Sequence, residues 1–182
     1  MSQTYRVPGG VAVGVPSEGF VDLILKRLPN ACPSCRLVIS FYAELAPELP
    51  RAKRVAIQAG YRSAAGLTRA LGRHGFPAPS KLAAWIRVLH WIQAWEDSKS
   101  PLVRQAWHQG IDPSVCHRTI RRVTRMSWSE IRELGLDHWL HRFGEVCGEH
   151  VRCELTTVLR CSGPTRRQKV SSDSFRSSQR ST

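Results

Sequence analysis

One spacing constrains this chain more than any other, because it occurs twice. Ala56 and Gly60 are matched fifty residues later by Ala106 and Gly110. The order around each pair is the same: a helix, Ala, three residues, Gly, a short turn, a basic helix, a loop with a small break, and another helix. Two helices that cross at a tight turn need a small residue at their closest approach. Glycine lets the chain reverse within a few residues. A generic helical bundle does not demand that spacing twice.

The rest of the chain reads as helix at its centre and irregular at its ends. Residues 1–48 form a small N-terminal extension, with a short strand around Val11–Val15 and helices over Phe20–Leu28 and Leu37–Leu45. The first unit spans about 49–80. Its second helix, Ala64 to Arg73, is capped by Ser63 and lined by Leu67, Ala70 and Leu71. Ser80 is expected to cap a long helix over 81–96, in which Trp85, Trp91 and Trp95 serve as packing anchors. The second unit spans 101–134. Its basic helix starts at Asp112-Pro113-Ser114, and a short helix capped by Ser127 or Ser129 runs from Glu130 to Leu134. Asp137 to Phe143 adds an apolar end. Residues 144–182 read as a basic, largely disordered tail, too polar to offset chain entropy. The expected fold class is all-α: two helix-turn-helix subdomains joined by a long linker helix.

Charge narrows the partners. The formal net charge is +13, and residues 51–143 hold sixteen Lys/Arg against six Asp/Glu. Such a field attracts polyanions, nucleic acid first. Most of these cations are Arg, whose planar fork suits phosphates and guanine edges. No apolar run approaches a membrane span. The N-terminus lacks a secretory pattern, and six scattered cysteines do not make a disulfide framework. A cytoplasmic setting follows as the expectation. No phosphate loop, paired-carboxylate motif or nucleophile elbow is found, so an enzyme is not expected.

Together these residues resemble the AraC/XylS family of transcription regulators. Val55-Ala56-Ile57-Gln58-Ala59-Gly60-Tyr61-Arg62-Ser63 looks like the family's first helix and turn. Leu67-Thr68-Arg69-Ala70-Leu71 resembles the recognition helix after it, and Lys81 to Leu89 resembles the linker helix. Ser114 to Thr124, followed by Met126 to Arg132, is similar to the family's C-terminal signature. The resemblance covers about half the chain, with no recognisable effector domain. The second turn is about one residue shorter, and Arg125 and Trp128 stand where glycine and proline are usual. Gly66 and Gly72 lie inside the first recognition helix, each costing roughly 1 kcal/mol against Ala.

The resemblance implies sequence-specific binding to double-stranded DNA, with two recognition helices in major-groove segments about 34 Å apart. Ala65, Thr68 and Arg69 then face bases from the first helix, and Ser114, His117 and Arg118 from the second. Arg62, Ser63, Arg73, Arg121, Arg122 and Arg125 are expected at phosphates. RNA polymerase is a candidate second partner, and a monomer or weak dimer suffices. No cofactor or metal is expected. Cys32-Pro-Ser-Cys35 has redox or half-zinc spacing but no second pair close by. Cys147, His150, Cys153 and Cys161 match no common zinc knuckle. Two alternatives stand beside the main reading. One is a non-specific nucleic-acid or acidic-surface binder with a degenerate second unit; the other is a cysteine-based metal or redox module.

Overall fold

The computed structural model describes residues 18–148 other than 47 and 49. The strand expected at Val11–Val15 and the tail from residue 149 onward lie outside the described residues. The described residues form eight helices and no strand: α1 (Glu18–Lys26), α2 (Pro33–Glu44), α3 (Ala52–Gln58), α4 (Ala64–Arg73), α5 (Pro79–Ser98), α6 (Leu102–His108), α7 (Pro113–Thr124) and α8 (Trp128–Gly148). None of them is long and apolar enough to cross a membrane.

Helix α5 is the spine, and α2, α4, α6, α7 and α8 all pack on it. Every residue from Leu82 to Leu89 is buried, so this helix is enclosed on all sides near its middle. Its 20 residues span about 30 Å at 1.5 Å per residue. Trp85 and Trp91 are buried as anchors. Trp91 also donates its indole N–H to Gln109 Oε1 at 3.2 Å. The helix starts two residues earlier than expected. Ala78, not Ser80, is the N-cap, and no side chain caps it. Pro79 takes the first helical position because its ring presets φ and its missing N–H has no partner to lose there. The residue before it is held extended, with ψ 149° at Ala78.

Two boundaries differ from the sequence reading. The N-terminal segment is part of the core rather than an appendage. Phe20, Ile24, Val38, Ile39 and Tyr42 are buried in one cluster with the residues of α5 and α8. Helix α2 begins at Pro33, ahead of the expected Leu37, because proline is as well placed there as Pro79 is in α5. At the other end α8 continues to Gly148, past the limit set at 143, and Cys147 is fully buried. The sparse apolar content after 143 hid this, since only Val146 and Cys147 follow Phe143 on the inner face of that last turn. Helix α8 breaks at Gly135, whose φ of 77° and ψ of 168° are not helical. Ser127 and Glu130 cap its start reciprocally. Ser127 N–H donates to Glu130 Oε2 at 2.6 Å, and Glu130 N–H donates to Ser127 Oγ at 3.4 Å.

Candidate nucleic-acid interface

The pairs α3–α4 and α6–α7 are built on the same turn, hydrogen bond for hydrogen bond. Tyr61 N–H donates to the Ala56 carbonyl at 2.8 Å, and Ile111 N–H to the Ala106 carbonyl at 2.9 Å. Gly60 N–H donates to Ile57 and Gly110 N–H to Trp107, each at 3.0 Å. Both glycines have positive φ, 80° and 63°. This double closure satisfies the last carbonyls of the first helix and needs a left-handed residue, which explains the recurring glycine. Ala56 and Ala106 are both fully buried at the crossing.

After the turn the two pairs differ by one residue. Ser63 caps α4, its side chain accepting from Gly66 N–H at 3.1 Å. Asp112 caps α7, its Oδ1 accepting from Ser114 N–H at 2.7 Å, with Pro113 at the first helical position. Hydrogen bonds from Ser114, with Arg118 adding attraction, hold the Asp112 carboxyl below its ordinary value. Beyond the caps the helices coincide again. Leu67, Ala70 and Leu71 face inward from α4, and Cys116, Thr119 and Ile120 occupy the same positions of α7.

Opposite those inner stripes lie the residues singled out for contact. Ala65, Thr68 and Arg69 are exposed on α4, as are Ser114, His117 and Arg118 on α7. Arg62, Ser63, Arg73, Arg121, Arg122 and Arg125 are exposed as well. None of these arginines has a salt-bridge partner among the described residues. Thr68 returns its hydroxyl proton to the Ala64 carbonyl at 2.9 Å, which leaves its lone pairs open. Between Tyr61, Arg69 and Arg73 the α4 surface is furrowed where Gly66 and Gly72 carry no side chain.

Tertiary packing adds residues that sequence reasoning missed. A cleft of about 290 Å³ is lined by Arg51, Ser80, Ala83, Thr119 and Arg122, among others. It brings the start of α3, the start of α5 and one flank of α7 to one place. No spacing in the chain ties Arg51 to Arg122, so only its position at the head of the first helix could have drawn notice. Arg125, already expected at a phosphate, is also the stop of α7. It takes the left-handed conformation, φ 66°, and its N–H closes on the Arg121 carbonyl at 3.0 Å. In the first pair the corresponding stop falls on Gly75, φ 73°.

No protein-family model matches this chain, and no curated protein or solved structure matches it either.

Proposed function

We propose that the protein is a sequence-specific DNA-binding transcription regulator of tandem helix-turn-helix design, with α4 and α7 as recognition helices in neighbouring major-groove segments and α5 as the linker. The observation that carries this reading is the repeated turn. Two helix pairs share the same closure at Gly60 and Gly110, and each presents an exposed triplet ending in Arg. An arginine at that place reads guanine O6 and N7 bidentately. The exposed arginines around it hold phosphates, which set register without reading sequence. A monomer contacts both segments, because both units belong to one chain.

The test is selection of bound sequences from a random duplex library, with Arg69→Ala and Arg118→Ala in parallel. The expected result is a motif of two blocks about ten base pairs apart, each block lost with its own arginine. Binding at low salt without an enriched motif would instead establish a protein that holds nucleic acid by charge alone.

A further inference from the structure

We propose that Cys32, Cys35 and His74 form a binding site for a zinc-class divalent metal, which clips the start of α2 to the end of α4. The two sulfurs and a ring nitrogen of His74 all lie within 4.8 Å of one another. A tetrahedral zinc ion, with bonds of about 2.3 Å to sulfur and 2.0 Å to nitrogen, spaces such ligand atoms by roughly 3.5–3.8 Å. Closing the set requires side-chain movement of about an ångström and no rearrangement of the helices.

Each ligand is delivered by a local feature. Cys32 is the N-cap of α2 and Cys35 lies in its first turn, with Pro33 starting the helix between them. His74 is the C-cap of α4. The chain turns directly behind it at Gly75, φ 73°, and Phe76 N–H locks the turn onto the Leu71 carbonyl at 2.9 Å. The imidazole is thus carried on a fixed backbone. Cys35 is buried, while Cys32 and His74 are half-buried, so the cluster is shielded on one side and reachable from the other.

The donor set selects the metal. Two thiolates and an imidazole suit zinc and other thiophilic ions, whereas calcium and magnesium require oxygen ligands. Binding displaces two thiol protons into solvent, one from each cysteine, so affinity rises with pH. Three protein ligands leave a fourth position for water or an incoming ligand. Tyr61 stands at the same place. Burial first, then the nearby Cys35 and Cys32, hold its phenol above the ordinary value, and Arg73 opposes them. Tyr61 and Arg73 also border the α4 furrow, so the metal cluster adjoins the surface assigned to DNA. The regulatory consequence, though not the metal site itself, rests on the DNA-binding reading: metal fixes the C-terminal end of α4 and raises DNA affinity.

The full-length reduced chain, stripped with chelator, is titrated with Co²⁺ and then Zn²⁺. One Co²⁺ per chain is expected, with thiolate charge-transfer and tetrahedral d–d absorption, displaced by Zn²⁺. Cys32→Ser abolishes that spectrum and His74→Gln weakens binding at least tenfold, while a Cys153→Ser/Cys161→Ser double variant retains it. Circular dichroism confirms that each variant is folded, and His74→Gln keeps the test decisive should Cys32→Ser misfold. No stoichiometric Co²⁺, or binding indifferent to His74→Gln, or binding lost with Cys153 and Cys161, would overturn the site. DNA affinity of the metal-loaded and stripped chain is measured alongside. A spectrum with no DNA binding in either form keeps the metal site and removes the DNA-binding reading alone.

Discussion

Glu96 Oε1 accepts the backbone N–H of Leu136 at 2.6 Å. The acceptor sits near the end of α5, and the donor opens the second half of α8, just after the break at Gly135. A carboxylate at a helix start satisfies an orphan N–H and meets the positive end of the helix dipole. It also fixes where the second half of α8 begins relative to the spine. Glu96→Ala is expected to lower unfolding free energy by about 1 kcal/mol, the usual worth of such a cap. Urea denaturation measures it, and an unchanged midpoint would show that solvent replaces the carboxylate without loss.

Arg125 offers two effects of opposite sign. Its left-handed backbone costs an L side chain about 1 kcal/mol that glycine does not incur. Its exposed guanidinium is assigned to a phosphate. Arg125→Gly is therefore expected to raise the thermal midpoint by several degrees for a chain of this size. DNA affinity should fall, with the slope of log affinity against log salt smaller by about one. Arg125→Ala should lose affinity equally without the gain in stability. Thermal melts and a salt series on the three proteins separate the two contributions.

His90 makes stability depend on pH in the mildly acidic range. Burial first, and then the neighbouring Arg87, lower its pKa from 6.5 to about 4. Its ring meets Phe20 edge-on, with 5.8 Å between centroids, so the neutral form is the one that packs. The unfolded chain binds the proton more readily than the folded one. This contribution is therefore complete above pH 6.5 and is lost as pH falls towards 4. Between pH 7.5 and 5 the loss from this residue is about 2 kcal/mol. Denaturant titrations at both values should show the drop, and His90→Leu should flatten it. A slope that survives the substitution would place the titrating group elsewhere.

Much of the candidate interface is legible in the residues because it is local. The closures at Gly60 and Gly110 join atoms five residues apart or fewer, and the caps at Ser63 and Asp112 act within three. Helical period alone then separates Leu67, Ala70 and Leu71 from Ala65, Thr68 and Arg69. The limits of the domain were less legible. Cys147 shows no strong periodic pattern, yet it is buried because α8 lies against the spine and the N-terminal helices. Helix α1 is likewise ordinary in sequence, and its place is set by the burial of Phe20 and Ile24 in the common core, with Phe20 edge-on to His90.

The two matched turns, the outward faces of α4 and α7 and the presence of the helices, though not all their ends, are written in the residues, since each depends on neighbours within a turn or two of chain. Tertiary structure alone decided that His74 meets Cys32 and Cys35, that Glu96 caps Leu136, and that Arg51 and Arg122 line one cleft. Those meetings join residues far apart along the chain. They arise when several apolar faces are buried against α5 at once, and no periodicity within a single segment encodes them.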